Sequence, residues 1–322
     1  TLHPDFFAIL DAVRARPIRH VMINTNGLRI AREPDFVAKL AANKRGLEVY
    51  LQFDSLKREA LVNLRGADLR KIRQQALENL ERYGVSTTLV ATIKRGVNDA
   101  EIGDIIRHAL TWKCVRGVTL QPVQDAGRNE AFNKDTDRIM LSEIRQRVIE
   151  TGVFGDKDMI PLPCNPESVS IGYGLRSGDK VLPLTSLIPQ EQLVAVMPNT
   201  ISPEKYPVLR EKFVDLFSLS SGPLNTSERV CELLCCLPSF EVPEGLTYEN
   251  VFRVTIVQFL DRFNFCVGNV KRSCIHFVTE SGAIIPFDTY NLFYRDGKID
   301  GIRASLAGQT YREARQGEEV PR

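Results

Sequence analysis

The sequence has no uninterrupted apolar run near the roughly 18 residues a membrane-crossing helix needs, and it carries no signal peptide. An excess of either charge is also lacking. Forty-two Lys and Arg stand against 40 Asp and Glu, a balance that gives no electrostatic case for binding nucleic acid or an anionic membrane. Patterned cysteine is missing too. The seven thiols are Cys114, Cys164, Cys231, Cys235, Cys236, Cys266 and Cys274. Without a secretory signal they point to a reduced, cytoplasmic setting, and to thiols or metal ligands rather than disulfides. There is no Gly-rich phosphate loop either: Gly96 and Gly127 stand alone, which counts against an unrelated barrel enzyme acting on a phosphorylated or sugar substrate.

What remains is an ordinary globular composition over 322 residues, enough for one large domain or two modest ones. Residues 4–16, 33–42, 68–83, 98–110 and 137–151 space their apolar side chains as amphipathic helices do, and Asn98 or Asp99 is a candidate N-cap. Residues 20–24, 47–53, 86–93 and 116–122 read as strands, each separated from the next by a helix. This alternation predicts a parallel sheet with right-handed crossovers. Four strands are few for a closed barrel, so the expected fold is α/β: a partial (β/α) barrel over residues 1–155, followed by a C-terminal α+β domain over 156–322. In that second half prolines cluster. Helical patterns return at 206–219, 227–237 and 251–263, and the end reads as strand pairs, 274–279 with 283–287 and 292–294 with 299–302.

The strand at 47–53 and the Asp54-Ser55 that follows it set the functional expectation. Side chains alternate across a strand, so Tyr50, Gln52 and Asp54 share one face while Leu51 and Phe53 share the other. Taken alone, Asp54 also fits a carboxylate that caps the next turn. The other strands repeat the pattern near their exits: Asn24 and Asn26, Thr92 and Lys94, Thr119 and Gln121. Buried polar groups without partners cost about 1–3 kcal/mol each, so a face that is polar at one end predicts a ligand cavity there.

The stretches Ile23-Asn24-Thr25-Asn26-Gly27, Leu51-Gln52-Phe53-Asp54-Ser55-Leu56 and Lys94-Arg95-Gly96-Val97-Asn98-Asp99, in this order and at βα spacing, resemble strands three to five of the radical S-adenosylmethionine (SAM) superfamily. The likeness is nearest to the branch that includes the molybdenum-cofactor cyclase and its iron–sulfur oxidoreductase relatives. It covers residues 1–150 well. A less specific likeness extends to the tail, through Pro163-Cys164-Asn165-Pro166, Cys274-Ile275-His276-Phe277 and Ile285-Pro286-Phe287.

The resemblance implies a [4Fe–4S] cluster and SAM as cofactors. It also implies a 5′-deoxyadenosyl radical acting on an unspecified small-molecule or lipid-like substrate, and a reductant such as flavodoxin or ferredoxin. Carried over by position, Asn24, Asn26, Gln52 and Asp54 face the ribose and methionine, Lys94 or Arg95 meets the SAM carboxylate, and Gln121 lies near the adenine. Gln52 replaces a small hydroxyl residue common there in relatives. Lys94 and Arg95 also fit a solvated loop pair.

The superfamily's Cys-x3-Cys-x2-Cys and Gly-Gly-Glu motifs are absent from the sequence, which starts where the residues after Gly-Gly-Glu-Pro are expected. The expectation is therefore a fragment that lacks its own cluster ligands and any assigned catalytic residue. Cys164 and Cys274 remain as candidates for an auxiliary cluster. Cys231, Cys235 and Cys114 read as buried packing thiols, and His276 as an ordinary strand residue. A non-enzymatic paralogue serving as a binding or scaffold protein is the rival. Reading the coding sequence upstream of Thr1 separates the two: about a hundred further residues carrying both motifs are expected, and a start codon at Thr1 sinks the fragment reading.

Overall fold

The computed structural model describes residues 1–18, 20–44, 46–126, 129, 131–162, 165–177, 180–186, 190–191, 251–273, 275–295 and 297–306. Its first four strands are β1 (Val21–Thr25), β2 (Leu47–Gln52), β3 (Thr87–Ile93) and β4 (Val115–Pro122). They pair in parallel and in chain order, as the βα spacing predicts. Further strands join the same sheet: β5 (Met159–Pro161), β6 (Val169–Ser177), β7 (Lys180–Pro183) and β8 (Val251–Val257). The order is β1-β2-β3-β4-β8-β6-β5, with β7 on β6. β8 runs parallel to β4, whereas β6 runs antiparallel to β8. The result is a mixed α/β fold with a mostly parallel sheet that is open at β1 and β5 among the described residues.

One face of this sheet is apolar. Val49, Leu51, Leu89, Ala91, Val118, Leu120, Val254 and Ile256 are all fully buried there. They form one core with helices α3 (Pro34–Ala42), α5 (Arg70–Tyr83), α6 (Ile102–Leu110) and α7 (Leu141–Glu150). Each such Val, Leu or Ile side chain contributes about 1.5–3 kcal/mol of hydrophobic stabilisation. α5 shows the local logic. Ala76, Leu77 and Leu80 make its buried stripe, and Gly84, at φ 60°, ends it in the left-handed conformation that suits a helix C-terminus. Two short helices escaped the periodicity, α2 (Leu28–Arg32) and α4 (Arg58–Arg65).

The other face is polar and concave. Register places Glu48, Tyr50 and Gln52 of β2 beside Thr88 and Thr92 of β3, Gly117, Thr119 and Gln121 of β4, and Arg253 and Thr255 of β8. The polarity therefore reaches both ends of the strands, where only the exit end was expected. Arg253 Nη2 donates to both Glu48 oxygens at 2.7 Å, from three strands away in the sheet order. On a flat sheet their backbones would stand about 14 Å apart with side chains perpendicular to it, out of reach. The sheet must curve for them to meet. Gly117 makes the crossing possible: a Cβ there would sit 2.6 Å from Arg253 Cγ and 2.4 Å from its carbonyl oxygen.

Three expectations need correction. Residues 251–263 do not form a helix. Residues 251–257 form β8, because Phe252, Val254 and Ile256 alternate with Arg253 and Thr255 at strand period. The expected strand pair at 292–294 and 299–302 is helical, with a π-helical turn at Tyr290–Tyr294 and a helix over 298–306. The division near residue 155 falls inside a continuous sheet. The compact units are instead residues 1–123 with 135–258, and 124–134 with 259–322. The helical patterns at 206–219 and 227–237 lie outside the described residues.

The second unit holds the expected hairpin, β9 (His276–Val278) with β10 (Ile284–Pro286), antiparallel. Phe277 stacks on Phe287 at 5.3 Å, Phe259 meets Phe287 at 4.3 Å, and Asp288 accepts the Leu260 N–H at 2.6 Å. His276 is an exposed residue of β9.

Glu48 makes the buried pair measurable. Burial pushes its carboxyl up, but Arg253, His20 and Thr88 together more than offset this and hold it down at about 2. A carboxyl held below its unfolded value stabilises the fold above pH 4.5, and that stability is lost as pH falls from 4.5 towards 2. Thermal melts across this range are expected to show the loss in the wild type. Glu48→Gln is expected to flatten this limb while costing about 3–5 kcal/mol near neutral pH, because Arg253 is left uncompensated.

Candidate cofactor-binding face

Two regions divide the polar face. Deep in it, Glu48 is saturated by Arg253, by Thr88 Oγ1 at 2.5 Å and by His20 Nε2 at 3.3 Å. Tyr50 and Tyr173 are buried beside it, and burial raises both phenols, Tyr173 to about 12. These groups serve one another.

At the strand exits the polar groups form an open chain. Gln52 Nε2 donates to Asn24 Oδ1 at 2.7 Å. Gln52 Oε1 in turn accepts from Arg65 Nη2 at 3.0 Å, and the same nitrogen reaches Thr92 Oγ1 at 3.3 Å. Thr92 is in register with Gln121, which is half-buried and has no hydrogen-bond partner among the described residues. Asn24 is exposed, and Gln52 and Thr92 are half-buried.

Asp54 anchors this chain from behind. Its side chain is fully buried, and its two oxygens accept Arg65 Nε and Nη2, each at 2.7 Å. Oδ1 also accepts the Thr92 N–H at 3.1 Å, and Arg73 Nη2 stands 3.8 Å away. Asp54 is the only non-glycine residue at positive φ among the described residues (65°), a conformation that Asp tolerates better than most side chains. Asn98 holds that strained bend: its Nδ2 donates to the carbonyls of Asp54 and Thr92, both at 2.8 Å. Asn98 is thus a strap between two strand ends, and no side chain caps the helical turn that follows it.

The structure thereby sorts the expected site residues. Asn24, Gln52 and Gln121 lie together at the exits of neighbouring strands. Asp54 sits behind them and acts through Arg65. Asn26 is exposed past the end of β1 and makes a local turn, its Oδ1 accepting the Leu28 N–H at 3.2 Å. Lys94 is ion-paired with Asp137 at 3.1 Å, and Arg95 with Glu143 at 2.7 Å, so both already have acidic partners. Cys164 and Cys274 lie outside the described residues, as do Cys231, Cys235 and Cys236.

Sequence reading missed Arg65, Glu48 and Arg253. Arg65 closes α4 just before Gly66, where a basic residue is the usual complement to the helix carbonyl end, so no pattern set it apart. Glu48 shares the strand face of Tyr50 and Gln52, and that parity was an available signal.

A cavity of about 660 Å³ opens on the helical side of the sheet, lined by Phe53, Ser55, Lys71, Arg73, Gln75 and His108 among others. Asn24, Asn26, Gln52, Asp54, Lys94 and Gln121 do not line it. Phe53 stacks on His108 there at 5.3 Å, and burial lowers the imidazole.

A parallel βα sheet whose helices cover one face and whose other face is concave and polar is a (β/α)-barrel type of scaffold, with ligands expected at the strand exits. Residues 1–109 match the family model described as the radical SAM superfamily. The chain is 28% identical over 333 residues to the 7,8-dihydro-6-hydroxymethylpterin dimethyltransferase of Methanocaldococcus jannaschii, an alignment covering 92% of this chain. The chain spans 65% of that protein's length. Both likenesses point to the radical SAM superfamily.

The described residues do not fit a [4Fe–4S] cluster. No three His, Cys, Asp or Glu side chains among them come together as metal ligands. Of their cysteines, Cys114 is buried with its thiol pushed well up by burial, and Cys266 is exposed and alone. A ligand rich in hydroxyl, amide and charged groups suits the exit end better: among the described residues neither the Gln121 side chain nor Arg65 Nη1 has a hydrogen-bond partner.

Asn98→Ala should loosen the exit end. Losing the bridge between two strand-end carbonyls is expected to cost about 1–3 kcal/mol, read as a lower urea midpoint at unchanged slope.

Proposed function

We propose that the exit end of the concave face binds SAM and that the protein works in the radical SAM class of enzymes on a small-molecule substrate. The observation that carries this reading is the polar chain Asn24–Gln52–Arg65–Thr92, continued by Gln121, on the concave face of a superfamily fold. Asn24 and Gln52 offer amides to the ribose hydroxyls, and Gln121 offers one to the adenine edge. The backbone past β1, near Asn26, closes the side next to Asn24. Lys94 shapes the rim together with Asp137. The dimethyltransferase relative supports methyl transfer to a reduced pterin-like ring as the first reaction to test, with an electron donor of the flavodoxin or ferredoxin type.

SAM supplies an activated sulfonium when bound. What this chain contributes is orientation, through its amides, and a low-dielectric concave wall that limits water. No residue among those described is positioned as a cluster ligand, so the radical step itself is not assigned to any of them.

A second reading is a protein that binds at the same face without radical chemistry. The observation in its favour is the absence of a Cys-x3-Cys-x2-Cys motif within residues 1–322. Two measurements decide. Equilibrium dialysis of the purified chain with labelled SAM is expected to show saturable binding, weakened about 3- to 10-fold by Gln52→Ala, the worth of one or two hydrogen bonds. Absence of saturable binding refutes the site. Anaerobic reconstitution of the product of the complete reading frame with iron and sulfide should then yield 5′-deoxyadenosine on reduction; SAM binding without that product favours the second reading.

A further inference from the structure

The cavity on the helical side of the sheet has a cation in its wall that the fold leaves incompletely matched. Arg73 of α5 lines it and is 2% exposed. Its Nη1 donates to the Asn26 carbonyl at 2.7 Å. Nε and Nη2 are buried and have no hydrogen-bond partner among the described residues; Nη2 stands 3.8 Å from Asp54, too far for one. Asp54 is moreover shared with Arg65, which donates to both its oxygens. Burial lowers the Arg73 guanidinium, yet an arginine keeps its proton in a protein, so the charge stays. Buried polar groups are almost always hydrogen-bonded, and two orphaned donors on one charged group call for a partner.

The rest of the lining favours an anion as that partner. Asp68 is neutralised by Arg70 at 2.8 Å, and Glu78 accepts the Gln74 amide at 2.9 Å. Lys71 is exposed and has no carboxylate partner among the described residues. Three cations thus meet two carboxylates around the cavity. His108 adds a neutral donor. Trp112 Nε1 donates to its Nε2 at 3.2 Å, which leaves the imidazole proton on Nδ1, and Nδ1 has no partner among the described residues. Phe53, stacked on His108, contributes an apolar patch.

We infer that this cavity is a second ligand site, for a small molecule whose carboxylate or phosphate is held by Arg73 and Lys71. A volume of about 660 Å³ is within the range of small-molecule sites and exceeds what a lone inorganic anion fills, so the anion is one end of a larger guest. Lys71, Gln74 and Gln75 at the rim are exposed, and side chains of that kind change rotamer readily to admit a guest. The inference does not rest on the SAM reading: Phe53 belongs to the apolar core side of the sheet, away from Asn24, Gln52 and Gln121.

The chain's one tryptophan is a built-in reporter, because Trp112 is hydrogen-bonded to His108. The full chain is titrated with inorganic phosphate and, separately, with acetate at constant ionic strength, with Trp112 fluorescence and thermal melts as readouts. At least one anion is expected to change the fluorescence saturably and to raise the melting temperature with concentration. A response to phosphate alone marks a phosphate-bearing guest, and a response to acetate alone a carboxylate-bearing one. Arg73→Gln is expected to weaken binding about tenfold or more, and Lys71→Gln about two- to threefold. No saturable change with either anion overturns the inference. So does a rise in melting temperature without a fluorescence change, which puts the anion elsewhere, and so does unchanged affinity in Arg73→Gln. If Arg73→Gln does not fold, Lys71→Gln decides, being at an exposed position: weaker binding supports the site and unchanged affinity overturns it.

Discussion

One ion pair sets the terms for the rest of the molecule. Glu48 and Arg253 meet across three strand intervals, over a glycine, with almost no exposure to solvent. Each buried charge alone would cost several kcal/mol, so neither is tolerated unless the sheet bends enough to bring them together. Curvature, polarity of the inner face and the need for Gly117 are therefore one fact seen from three sides. The pair also explains why the deep end of that face is unsuited to a ligand. Its charged groups are matched within the protein, and a guest would have to displace an ion pair to gain a contact.

The exit end follows the opposite rule. Its carboxylate is outnumbered by guanidinium groups, and its amides are linked along one edge and open along the other. The positive φ of Asp54 and the Asn98 strap show that the local backbone is held in a conformation it would not adopt unaided. Strain concentrated beside an open polar wall suits a site that must hold a guanidinium in one orientation. The match to the radical SAM family model, over residues 1–109, spans strands β1 to β3, from which much of this wall is built.

How much of this was legible in the sequence varies with the type of pattern. The first four strands and their crossover helices were, because each buried segment carries a clean period and ends in turn chemistry, as in Asn24-Thr25-Asn26-Gly27. β8 was not. Read on its own, Phe252 to Val257 with the residues after it fits a helical stripe, and only pairing with β4 and β6 selects the strand. The exit-end amides could be found by parity. The orientation of Asp54 could not, since a carboxylate turned towards a ligand and one turned towards Arg65 leave the same letter in the sequence. Glu48 and Arg253 were invisible as a pair because nothing local relates residues 205 positions apart.

That separation bears on how the chain acquires its fold. Strands β1 to β4 are made first and are local to one another, but the charge on β2 finds its cation only when β8 has been synthesised and threaded beside β4. Until then the inner face has to keep an unneutralised carboxylate in contact with water, and it cannot close over it. The curved wall is thus the last part of the sheet to mature, and its formation carries the slow kinetics of long-range strand pairing. A nascent chain that has emerged only as far as β4 already has its hydrophobic face, but not yet the hollow that makes the other face useful.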